Sequence, residues 1–146
     1  MSSLAAAAQN AVLDALLRGV PLVTPTTWYV ALVTTTGANN YLAGSEITGG
    51  SYARAVIPAG LTAWAGTQGQ GSTGISIGAS GQTSNNLPIT FASPSANWGA
   101  IVGWEMWDAP TFGTRWFYDE LQVPKTVSVG DQAVSFPAGE LQINFV

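Results

Sequence analysis

Four carboxylates, Glu105, Asp108, Asp119 and Glu120, share one short stretch of chain with Trp104, Trp107 and Trp116. Two acids held about 5 to 9.5 Å apart across a sugar are what glycoside hydrolysis requires. Aromatic rings beside them would give the sugar an apolar platform. The same residues have plainer uses. Asp108 falls where a turn is expected, and Asp119 and Glu120 fall at solvated strand positions. In a chain with eight acids, such closeness on a hairpin arises easily, so the expectation is a protein that is not an enzyme. A carbohydrate-binding surface without catalysis, built on the same tryptophans, is a milder form of the idea. Asp131 in "VGDQ" could join a calcium site, but one acid in a turn usually only forms the turn.

Composition removes most other chemistry. There is no histidine and no cysteine. Ser–His–Asp and Cys–His arrangements, disulfides and cysteine metal sites are therefore excluded. "GTQGQG" is rich in glycine but lacks the Lys and the strand-then-helix setting of a phosphate-binding loop. No cofactor and no metal are expected. The basic residues Arg18, Arg54, Arg115 and Lys125 are scattered, whereas nucleic-acid binding needs clustered cations. No run approaches the roughly 18 apolar residues of a membrane span. The start, "MSSLAAAAQNAVLDALLRG", lacks a basic leader and is interrupted by Asp14, so no signal peptide is expected.

The elements that would position these residues are short. The 146 residues suit a single domain spanning 1–146. Ser2 or Ser3 can cap a helix over about residues 3–18. Leu4, Ala8, Ala11, Val12, Ala15 and Leu16 follow its spacing, with Leu13 and Leu17 beside them. Arg18 suits the last turn, Gly19 the stop, and Pro21 bars continuation. From about residue 26 onward the pattern is of strands. "TTWYVALVTT" and "SYARAVIPA" are the first two. Residues 60–86 are a polar excursion, with "GISIG" the best candidate for an edge strand. "LPITF" follows, then "WGAIVGWEMWD" and "TRWFYDELQV" as a hairpin. "TVSV" and "AVSF" suggest a second hairpin around "GDQ", and "ELQINFV" closes the chain. One N-terminal α-helix and about eight strands argue a mainly β protein, an antiparallel β-sandwich or jelly roll.

The tryptophan strand poses a question. Alternation sends Trp98, Val102, Trp104 and Met106 to one face, the natural core, and leaves Ile101 and Trp107 on the other. The next strand also carries apolar residues on both sides, including Trp116 and Tyr118. A sheet solvated on one side should alternate cleanly. Either the N-terminal helix, a partner or a ligand covers the outer face. Charged residues make up 8% of the chain, against about 25% in an average domain, which points to a surface covered by protein. The candidate interface residues are Trp104, Trp107, Trp116 and Tyr118 on the hairpin, with Leu13 and Leu17 on the helix.

The order of "GGSYAR", "NWG", "WDA", "PKTVSVGD" and "FPAGEL" resembles a family of small tailed-bacteriophage structural proteins, over roughly residues 10 to 146. Some members are head-decoration or cement proteins; many relatives carry a tail-fibre label. The resemblance implies a jelly-roll-like fold, no enzymatic activity, no cofactor and attachment to the phage coat. It points to a cement protein made in the host cytoplasm and carried on the capsid exterior. Bridging major capsid subunits around a local twofold would suit a homodimer. A tail-fibre or tail-adaptor protein is the alternative.

Overall fold

The computed structural model describes residues 2–39 and 41–145. Met1, Asn40 and Val146, which the expected span 1–146 includes, lie outside the described residues. The chain is mostly β, with several antiparallel sheets and a helix near the N-terminus. In chain order the elements are β1 (Ser3–Leu4), α1 (Ala6–Leu17), β2 (Thr27–Val33), β3 (Ala55–Pro58) and β4 (Gln82–Ser84). They continue with β5 (Ile89–Thr90), β6 (Gly99–Trp107), β7 (Arg115–Val127), β8 (Ser135–Phe136) and β9 (Gln142–Asn144). One layer is a five-stranded sheet in the order β1-β7-β6-β2-β3. The pairs β4-β9 and β5-β8 supply strands opposite it.

The core fills the space between these layers. Val30, Leu32, Trp104 and Met106 come from the large sheet, and Ile89, Leu141 and Ile143 from the short ladders and their turn. Val30 pairs with Met106 and Leu32 with Trp104 across neighbouring strands, so alternation delivers all four to one face. Trp98 closes one end of the core. Its indole donates to Gly50 O at 2.9 Å, and its ring meets Tyr52 edge-on at 5.4 Å. The motifs "GGSYAR" and "NWG" are thus one packing unit. Gly50 has φ 59°, and a Cβ there would lie 2.9 Å from the Trp98 indole nitrogen.

Several expected elements differ. The helix begins at Ala6, not near residue 3, because Ser3 and Leu4 pair with Tyr118 and Phe117 as β1. Its N-cap is Ala5, with no side-chain cap. Ser2 instead accepts the Asn144 backbone N–H at 2.6 Å. Arg18 lies just past the helix and pairs with Asp14 at 2.7 Å; Gly19, at φ 69°, makes the expected stop. Ile101 is core, not outward, because an irregularity in the β6–β7 pairing after it resets the alternation. The "TVSV"/"AVSF" hairpin does not form. Thr126 and Val127 extend β7 against Ala100 and Gly99, while Ser135–Phe136 pairs with β5. "GISIG" is not a strand, and Ile75 and Ile77 are exposed. The strand in that region is β4, held against β9.

Candidate functional site

The outer face of the large sheet carries Gly103, Glu105 and Trp107, alternate residues of β6. Glu105 is 1% exposed, which an unpaired carboxylate could not tolerate. Arg115, at the start of β7, donates to Glu105 Oε1 at 2.8 Å, and Gly44 N donates to the same oxygen at 2.7 Å. Arg115 also donates to Ala38 O. The connection between β2 and β3 is thereby clamped over the sheet. Gly37 is needed for the close approach: a Cβ there would lie 2.6 Å from Leu42 O. This connection, with the start of α1 where Ala8 is fully buried, covers much of the outer face.

A second ion pair lies beside the first. Arg54 donates from Nε and Nη2 to the two oxygens of Glu46, at 2.9 and 2.8 Å. Its Nη1 donates to Ala109 O and Phe112 O, at 2.8 and 2.9 Å, tying the β6–β7 turn to the sheet. The guanidinium lies 4.4 Å from the centre of the Trp107 ring, a cation–π distance. Arg115 sits likewise 4.4 Å from the Tyr118 ring. Tyr52 donates to Glu46 Oε1 at 2.9 Å and accepts from Leu32 N at 3.0 Å. Burial, and then the nearby Glu46 carboxylate, push its phenol well above the usual tyrosine range.

Between these groups lies a hollow of about 550 Å³, lined by Ile47, Arg54, Glu105, Trp107 and Phe112 among others. Two of its residues keep a buried polar atom with no hydrogen-bond partner among the described residues: Glu105 Oε2 and Trp107 Nε1. Phe112 adopts φ 55° and is 88% exposed.

The six residues singled out from sequence part into three groups. Trp104 is buried in the core, and its packing surface is used within the chain. Trp107, Trp116 and Tyr118 are half-buried. Trp116 meets Trp28 edge-on at 5.8 Å and donates to Asp108 Oδ2 at 3.3 Å, and it is not among the residues that line the hollow. Leu13 and Leu17 are exposed, with Leu16, Val20, Leu22 and Val23 exposed beside them. Every residue from Leu16 to Thr24 is exposed, so the end of α1 and the segment after it present an apolar surface to solvent.

The acids serve local structure. Asp108 accepts Thr114 N at 2.7 Å and closes the turn. Asp119 accepts Glu120 N, and Asp131 accepts Ser128 N at 2.8 Å. Sequence reasoning missed Glu46, Tyr52, Arg54 and Phe112. The available signals were an arginine inside an apolar strand, which asks for a buried acid, and an aromatic residue at the tip of the "APTFG" turn.

No helix among the described residues is long and apolar enough to cross a membrane. A family model described as podophage GP4 fiber I protein gp80 matches residues 3–144. No curated protein matches the chain.

Proposed function

As the chain belongs to the podophage GP4 fiber I protein gp80 family, and so is a bacteriophage virion structural protein, we infer that it is a component of a fibre and works by adhesion. The observation that carries this reading is the family match, which runs from β1 to β9. The description is of a fibre protein. It supports the fibre placement over the capsid-cement placement, in which the partner would be the major capsid protein and the form a homodimer.

The surface supports adhesion as the task. Leu16 and Leu17 are 76% and 78% exposed, and Val23 is 83% exposed. A contiguous apolar surface of this kind is characteristic of a protein contact. Of the carboxylates that might have served hydrolysis, Glu105 is ion-paired with Arg115 through Oε1, and Asp108 and Asp119 accept backbone N–H groups, so on this reading no bond is made or broken. Arg18, Arg54 and Arg115 are each spent on a carboxylate, which supports a protein partner over nucleic acid.

The test is imaging of intact virions carrying an antibody or gold label against this chain. Label on tail-associated fibres is expected. Label at regular points of the head shell would replace the fibre reading with the cement one. A Leu16→Ser/Leu17→Ser variant should fold normally and be taken into virions about tenfold less, as judged by quantitative immunoblotting of purified particles. Unchanged uptake would remove the helix end from the contact.

A further inference from the structure

We propose that the hollow between Trp107 and Phe112 is a binding site for an uncharged sugar ring. Its volume, about 550 Å³, lies within the range of roughly 300–1,000 Å³ usual for small-molecule sites.

Charge fixes the class of ligand. The two acids at the hollow are each matched: Glu46 with Arg54 and Glu105 with Arg115, both at 2.8 Å. Arg54 spends its donors on Glu46 and on the carbonyls of Ala109 and Phe112. An anionic ligand therefore meets two carboxylates and no cation free to receive it. A cationic ligand meets carboxylates already paired. The fit is to a neutral molecule.

The polar demand narrows it further. Trp107 Nε1 offers a hydrogen and Glu105 Oε2 offers lone pairs, and neither has a partner among the described residues. Buried polar atoms left this way are uncommon and call for an explanation. A hydroxyl both donates and accepts, so a molecule rich in hydroxyls satisfies both atoms with one kind of group. Neither atom is open to solvent, so binding includes a small movement of the hollow's wall.

Phe112 supplies the remaining feature. At φ 55° it holds a left-handed conformation that glycine adopts without strain and a bulky side chain does not. Its ring is 88% exposed, so folding gains little from it. Strain that a fold does not need is a mark of a functional position. Here it keeps an aromatic face at the edge of the hollow, where the weakly positive C–H groups of a pyranose can pack on it.

The sugar's meaning rests on the virion reading above, but binding is measured on the isolated chain, so failure of either leaves the other standing. The probes are methyl glucoside, methyl galactoside and methyl mannoside at millimolar concentration, with glucuronate and a leucine-rich peptide as contrasts. The readout is the Trp107 indole N–H resonance, assigned with Trp107→Phe. At least one neutral glycoside should shift it saturably. Phe112→Gly should melt at or above the parent temperature and bind at least about tenfold more weakly; Phe112→Ser serves as the second variant if glycine loosens the turn. The proposal is overturned if no neutral glycoside moves the resonance, if glucuronate or the peptide binds more tightly, or if both Phe112 variants bind as the parent does.

Discussion

The Tyr52 hydroxyl stands between Leu32 N–H and Glu46 Oε1, while its ring stacks on Phe91 and meets Trp98 edge-on. Burial opposes its ionisation, so the folded chain holds this proton to higher pH than the unfolded chain, which releases it near pH 10. The sign follows from linkage: the unfolded state binds fewer protons above that pH, so stability is full below it and falls as pH rises beyond it. Melting temperatures followed from about pH 8 to about pH 12 should decline at the alkaline end. Tyr52→Phe should flatten part of that decline. At neutral pH the variant should be less stable by about 1–3 kcal/mol, because Leu32 N–H loses its acceptor. At this scale the sequence was half legible. Trp107 was visible from its residue type and parity. Glu46, Arg54 and Phe112 were not, because they reach Trp107 only when the β2–β3 connection and the β6–β7 turn close over the sheet. No local pattern encodes that closure.

Among the elements, the long strands of the large sheet were readable but its edge strand β1 was not. In the opposing layer "LPITF", "AVSF" and "ELQINFV" marked β5, β8 and β9, while β4 and the way these strands pair stayed hidden. β2, β6 and most of β7 are apolar and β-branched runs long enough to declare themselves. β4, β5, β8 and β9 have two or three residues each and lie in polar surroundings. What organises them is Asn85, which is fully buried. Its side chain donates to Leu87 O at 2.8 Å and Pro137 O at 3.0 Å, and accepts from Leu141 N at 2.9 Å. Its carbonyl accepts Gly139 N at 2.7 Å. "SNN" and "FPAGEL" are thereby interlocked, though neither stretch shows it alone. Asn85→Ala would strip partners from several buried groups, each costing about 1–3 kcal/mol, so a loss of about 3 kcal/mol or more is expected in denaturant unfolding. Hydrogen exchange should quicken in β4, β5, β8 and β9 before it does in β2 and β6. Uniform acceleration across both layers would show that Asn85 does not organise this layer separately.

For the molecule as a whole, sparse charge and an uncovered helix end fit a protein that lives among other proteins; the sandwich class itself followed from strand tally and turn chemistry. The two ends of the described chain also meet. Ser2 receives the Asn144 backbone N–H, and β1 and β9 lie at neighbouring edges of the two layers. A permutant that joins the ends by a short glycine linker and opens between Thr73 and Gly74, in an exposed stretch, should keep the parent's near-ultraviolet circular dichroism and melt within about 5 °C of it. Loss of that spectrum would mean the natural order of segments is required for folding. Mechanically, a pull that draws Ser2 and Asn144 apart strains their shared hydrogen bond before it reaches the packed core.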